Sequence, residues 1–153
     1  MIYHSKSEFL AALPLQCQRL LGLDLGQRKI GVAVLHLGTR ITSPVGVIVR
    51  QNKQADLKSL RKLIGQWQAG GVVVGIPLEM DGNPGAAAQG ARQFIVDIDK
   101  QLKIAVIGHD ERLSTAAAHS LMKSLDVKRK ARHKADDMLA ASLILENFIN
   151  TMA

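Results

Sequence analysis

The sequence predicts a mixed α/β fold: a five-stranded sheet, its first three strands antiparallel, with helices packed on both faces. Three observations lead there. Apolar runs of strand length, separated by short turns, fill residues 20–50. From Lys53 the apolar positions recur at helical spacing instead. Beyond that point helical stretches alternate with short β-branched runs, the pattern of strand–helix units and parallel pairing.

Taken in order, residues 1–19 carry a weak helical pattern (Phe9, Leu10, Leu13) ended by Pro14. They read as an N-terminal extension outside the main sheet, with residues 20–150 as the domain proper. Residues 20–35 read LLGLDLGQRKIGVAVL, two apolar runs flanking a turn at Gly26–Lys29. That is a β-hairpin with a loop of about three to five residues. Alternation puts Leu21, Leu23 and Leu25 on one face and Gly22, Asp24 and Gly26 on the other. The segment Arg40–Arg50 reads as a third strand after a turn at Ser43-Pro44. A helix follows, with Leu57, Leu60, Ile64 and Trp67 on one side and Lys53, Lys58, Arg61 and Lys62 on others, and Gly70-Gly71 should stop it.

Val72–Ile76 is an unbroken apolar run that suits a strand buried on both faces. Pro77 ends it, and a turn cluster stands at 81–85. Ala87, Ala91, Phe94, Ile95 and Ile98 mark the next helix, and Ile104–Ile107 the last strand. Ser114 is a natural N-cap for a helix through Ala117, Ala118, Leu121 and Leu125. A basic segment spans Lys123–Lys134, and a final helix turns Met138, Ala141, Leu145 and Phe148 inward. The order β-β-β-α-β-α-β-α-α, a meander followed by βα units, is the ribonuclease H-like architecture.

Composition narrows the function. A chain of 153 residues, 47% hydrophobic, suits one domain with a real core. Twenty Lys and Arg against 13 Asp and Glu give +7, which favours a polyanionic partner. Aromatics at 3% argue against a platform that stacks single-stranded bases. Cys17 is the one cysteine, so a disulfide framework or a cysteine-based zinc site is excluded. No apolar run approaches the ~20 residues of a membrane span, and FLAALPL lacks the marks of a signal peptide. A cytoplasmic location, with no membrane partner, is the expectation.

Asp24 stands between two glycines on a strand face, where a carboxylate is costly to bury unless a cation sits above it. In this topology Glu111 follows the end of the last strand, and Asp136 and Asp137 stand near the start of the final helix. Three carboxylates converging at the C-terminal edge of parallel strands repel one another. Mg²⁺ or Mn²⁺ relieves that repulsion, because hard divalent ions take oxygen ligands. Two such ions about 3.5–4 Å apart suit in-line hydrolysis of a phosphodiester. Taken singly each acid has an ordinary explanation, Glu111 paired with Arg112 and Asp137 at a helix start. Their conjunction is what carries the chemistry.

The segments GLDLGQRKIGVAV, VVVGIPLEMDGNPG, DERLSTAAA and KADDMLAASLILENF, in that order and spacing, resemble the four blocks of the YqgF family across residues 20–150. That family comprises ribonuclease H-like nucleases associated with Holliday-junction resolution and with processing of pre-16S ribosomal RNA. The resemblance implies a divalent-metal endonuclease with Asp24, Glu111 and Asp137 as catalytic and metal-binding acids; Asp137, three positions before the Ala-Ala pair, is selected over Asp136. Two departures stand out. Leu35-His36 replaces the family's frequent Ser-Asp, which would remove an acid near the site, and the extension of residues 1–19 precedes the family's usual start.

Arg28 and Lys29 in the hairpin turn are candidates to hold a scissile-strand phosphate. Arg112 either contacts a phosphate or clamps Glu111. Lys128, Arg129, Lys130, Arg132 and Lys134, just ahead of Asp137, suit backbone tracking along a nucleic acid. Glu79 and Asp81 are secondary candidates, while His109 reads as a packed or hydrogen-bonded histidine. The expected partner is structured nucleic acid, pre-16S rRNA or branched DNA. A symmetric junction favours a homodimer, and one RNA end needs only a monomer. Two rival readings are a nucleotide-binding fragment, since GLDLG resembles the first phosphate loop of actin-like ATPases, and a non-catalytic nucleic-acid-binding module.

Overall fold

The hairpin around Asp24 forms the middle of a six-stranded sheet in the computed structural model, which describes residues 1–77, 85–110 and 129–150, with side chains in the last helix from residue 139. Its elements are β1 (Ile2–Tyr3), α1 (Lys6–Ala12), β2 (Arg19–Leu25), β3 (Lys29–His36), β4 (Ile41–Val49) and α2 (Lys53–Trp67). Then come β5 (Gly71–Ile76), α3 (Ala86–Leu102), β6 (Ala105–Asp110) and α4 (Arg129–Asn150). The strand order is β1-β6-β5-β2-β3-β4. β2, β3 and β4 pair antiparallel, and β5, β6 and β1 run parallel to β2. The meander and the parallel half are as the sequence predicts.

The sixth strand is a correction. Residues 1–19 do not lie outside the sheet: Ile2 and Tyr3 pair with Val106 and Ile107 at its edge. Phe9 of α1 is fully buried, with edge-on contacts to Tyr3 and Phe148. The weak helical pattern of this segment reflects its length, seven residues capped by Ser5, and a single deep anchor.

Alternation divides the sheet into two cores. On one face Leu21, Leu23, Ile30, Val32, Val72, Val74 and Val106 pack against Leu57 and Leu60 of α2 and Phe94, Ile95 and Ile98 of α3. On the other Leu20, Ala33, Leu35, Val73 and Ile107 pack against Phe9 of α1 and Ala141, Ile144, Leu145 and Phe148 of α4. Helices thus cover both faces. Gly22 fixes how closely α4 approaches: a Cβ there would lie 2.5 Å from Leu145 Cγ.

Several boundaries differ from the sequence reading. Ser43 and Pro44 lie inside β4, paired with Val34 and Ala33, and the register shifts there so that Val45 is the extra residue of a bulge. An outermost strand tolerates a proline because that side of its backbone need not donate. α2 ends at Gln68 in the left-handed conformation (φ 52°), ahead of Gly70-Gly71, and Gly71 already belongs to β5. On α3 it is Ala88, not Ala87, that is buried. β6 extends through His109-Asp110, and α4 takes in Arg129–Lys134 as its first turns. The helix expected after Ser114 lies outside the described residues.

Candidate functional site

Asp24 is the penultimate residue of β2, paired with Gly31 of β3. It is half-buried and shares the α4 side of the sheet with Leu20 and Gly22. On the parallel side Leu23 pairs with Val74, so Gly75 is the β5 residue at the level of Asp24. Glycines therefore stand on both neighbouring strands, and neither contributes a side chain over the carboxylate. The apolar run that hides the rest of β2 leaves one acid at the end where three parallel strands terminate.

The turn beside it is tight. The Gly26 N–H donates to the Lys29 carbonyl at 2.8 Å, and a Cβ on Gly26 would sit 2.8 Å from that oxygen. Arg28 and Lys29 are both exposed, and Lys29, two residues before Gly31, lies on the Asp24 side of β3. The turn is held from the other face by Arg50, a residue the sequence reading did not single out. Its guanidinium donates to the Gly26 carbonyl at 2.8 Å, stands 3.5 Å from the buried Asp56 carboxylate and lies 5.9 Å from the Phe94 ring centre. Asp56 also accepts from the Gln51 N–H at 3.0 Å. Only the register of β3 on β4 brings Arg50 to the hairpin, so no local pattern could reveal it. A cavity of about 240 Å³ lies beside Arg50, between the turn and the start of α3. It is on the α2–α3 face, away from Asp24.

His109 of β6 sits on the α4 side with Ile107. Its Nε2 is 2.7 Å from Asn147 Nδ2, and its ring meets Phe148 edge-on at 6.0 Å. With Asn147 Nδ2 as the donor, Nε2 is the acceptor, a pairing that goes with the Nδ1–H tautomer. Burial lowers the His109 pKa below its ordinary value, against a smaller opposing pull from Asp110. It is a packed, hydrogen-bonded histidine, as the sequence suggests.

Of the remaining candidates, Glu79, Asp81, Glu111, Arg112 and Lys128 lie outside the described residues. Arg129, Lys130, Arg132, Lys134, Asp136 and Asp137 lie on the α4 backbone, with their side chains outside the described set. Among the described residues no group of three or more His, Cys, Asp or Glu could hold a metal ion. One expectation is corrected. His36 pairs with Arg19, five residues down β2 from Asp24, so it is roughly 17 Å away at the opposite end of the strand. Leu35-His36 therefore takes no acid from the site.

Comparison with known proteins gives a family. Residues 18–151 match the family model described as RuvX, Holliday junction resolvase, which agrees with the YqgF resemblance read from the sequence. A protein of Rickettsia bellii (strain OSU 85-389), named "Putative pre-16S rRNA nuclease", is 35% identical over 152 residues, 99% of this chain and 98% of its own. One of the same name from Rhodobacter capsulatus is 39% identical over 153 residues, 100% of this chain and 96% of its own. These matches take in the N-terminal segment, so the extension is not peculiar to this chain. In fold, the chain resembles T. thermophilus RuvC solved with a Holliday junction substrate, with a TM-score of 0.52 and 12% identity over 88% of this chain and 97% of that one. The mixed sheet is thus of the ribonuclease H-like kind.

Proposed function

Because the chain belongs to the RuvX family, we propose that it is a divalent-metal-dependent endonuclease that hydrolyses phosphodiester bonds in the 5′-end processing of pre-16S rRNA. The observation that carries this is Asp24, a half-buried acid at the C-terminal end of a central strand, on the α4 side of the sheet and flanked by glycines. The RNA substrate follows the names of the Rickettsia and Rhodobacter relatives.

Asp24, Glu111 and Asp137 would hold Mg²⁺ or Mn²⁺. Oxygen donors of this kind fit hard divalent ions. Alternation along β6 gives Ala105, Ile107 and His109 to the α4 face, and Glu111 is the residue that follows β6 in the sequence. Asp137 is taken over Asp136 because the family resemblance selects it, three positions before the Ala140-Ala141 pair. When bound, divalent ions supply Lewis-acid polarisation of a phosphoryl oxygen and a lowered water pKa. The chain's own part is positioning. Arg28 and Lys29 hold a phosphate of the scissile strand, Arg112 steadies Glu111 or a second phosphate, and the basic residues from Lys128 to Lys134 follow the backbone. The protein would act in the cytoplasm, where pre-rRNA is met.

The family's description favours a second reading, resolution of branched DNA. One assay separates them: a labelled pre-16S 5′ segment against a four-way DNA junction, with Mg²⁺, Mn²⁺ or EDTA. Metal-dependent cutting of the RNA alone is expected. Paired symmetric nicks in the junction would assign a resolvase acting as a dimer, and binding without cutting in every lane would leave a non-catalytic module.

A further inference from the structure

The face of the sheet opposite Asp24 is covered by α2 and α3, and the outer surface of that layer is strongly basic. These two helices and the C-cap Lys103 carry seven basic residues against three acidic ones. Each of the three acids is already engaged. Asp56 is buried under Arg50 and Gln51. Asp97 is buried and takes Lys53 at 3.3 Å and Gln93 at 3.1 Å, and Asp99 pairs with the N-terminal ammonium of Met1. Lys58, Arg61, Lys62, Lys100 and Lys103 are exposed, and among the described residues none of them pairs with a carboxylate.

Their arrangement suits a phosphate backbone. Lys58, Arg61 and Lys62 follow the three-and-four spacing that puts side chains on one helix face. From Lys58 to Lys62 the helix rises about 6 Å, roughly two nucleotide steps along one strand of a duplex. The Arg61 guanidinium donates to the Gln101 carbonyl at 2.7 Å, which ties this stripe to the end of α3, where Lys100 and Lys103 stand. A groove of about 260 Å³ runs between the two helices there, lined by Lys58 and Arg61. No aromatic ring is offered for stacking: Phe94 is buried, and Trp67 is half-buried with its indole N–H buried. Cations without stacking rings contact a double helix, whose bases are turned inward, better than a single strand.

The outer side of a helix layer stands roughly 15 Å from the sheet it covers. Asp24 is on the far side of that sheet, so one straight duplex cannot touch both. We propose that the α2–α3 surface docks the phosphate backbone of a double-helical RNA segment separate from the strand presented to Asp24. The substrate is then a folded RNA gripped at two places. The choice of RNA rests on the function proposed above; the backbone contact does not.

The test is binding of the full chain in EDTA, which reads docking whether or not the protein cuts. The probe is a labelled RNA duplex of about 16 base pairs, followed by anisotropy. Lys58→Gln/Lys62→Gln is compared with Gln16→Glu/Gln18→Glu, two exposed positions elsewhere that lower the net charge by the same amount. The lysine pair is expected to weaken binding by on the order of tenfold or more near 0.1 M salt and to lower the salt slope by between about one and two. The glutamine pair is expected to bind like wild type. Equal losses in both double variants, or no loss in the lysine pair, would overturn the docking surface. Tighter binding of a DNA duplex of equal length, with the same lysine dependence, would overturn the RNA assignment. Lysine-dependent binding confined to phosphatidylserine vesicles would overturn both.

Discussion

Gly22→Ala tests how the sheet positions the helix that carries Asp137. An alanine Cβ at this position would meet Leu145 Cγ at 2.5 Å, Cδ1 at 2.8 Å and Cδ2 at 3.0 Å. Ordinary contact needs roughly 1 Å more than the first of these. Leu145 is fully buried among the α4-side residues, so its side chain cannot simply swing away. α4 must lift, or Leu145 must leave its rotamer, and overpacking of this kind costs about 1–3 kcal/mol. For a chain of this size that is a fall in Tm of roughly 3–10 °C. Activity should suffer more, because a shift near 1 Å between catalytic groups costs on the order of a hundredfold. Leu145→Ala removes all three contacted carbons, so Gly22→Ala/Leu145→Ala should be more stable than the two single effects summed, by about 1 kcal/mol or more. Thermal unfolding and cleavage rates of the three variants and wild type make the cycle. A Gly22→Ala protein with wild-type Tm and rate would refute the reasoning, as would strict additivity.

Three further outcomes follow from the packing. Phe9→Ala should lose about 3–5 kcal/mol in denaturant unfolding, because Phe9 is fully buried against Tyr3 and Phe148; a loss under 1 kcal/mol would return the N-terminal segment to the status of an appendage. Asp56→Ala leaves Arg50 and the Gln51 N–H without their acceptor beneath the hairpin turn and should cost about 2–4 kcal/mol, with Asp56→Asn milder. His109 has a lowered pKa in the folded chain, so below the unfolded value near 6.5 the unfolded state binds more protons. Its contribution is complete above that value and is lost as pH falls toward the folded pKa, and His109→Gln should flatten this part of the stability–pH curve.

The sequence was most legible where one pattern had one cause. The β2–β3 hairpin, the change of period at Lys53 and the buried run of β5 are local signals, and each element stands where the pattern puts it. Alternation alone also assigned Asp24 to the face opposite Leu21 and Leu23, which is the α4 face. Features that depend on pairing were not legible. Pro44 reads as a turn unless β4 is known to be the outermost strand, and Ile2–Tyr3 is too short to signal a strand without β6 beside it. Arg50 reaches Gly26 only through the β3–β4 register. His36 falls among the same features, since proximity in sequence to the hairpin hides that an antiparallel partner runs away from the turn. For the acids, spacing offered Asp136 and Asp137 alike, and a family resemblance made the choice.

The central claim is that Asp24, Glu111 and Asp137 form one divalent-metal site. Mn²⁺ binding, followed by calorimetry on the full chain and on Asp24→Asn, Glu111→Gln and Asp137→Asn separately, tests it most directly. Shared ligation predicts that every single variant weakens Mn²⁺ binding by at least about tenfold while remaining folded by circular dichroism. Wild-type affinity in any one of the three would remove that residue from the site, and wild-type affinity in Asp24→Asn would contradict the account.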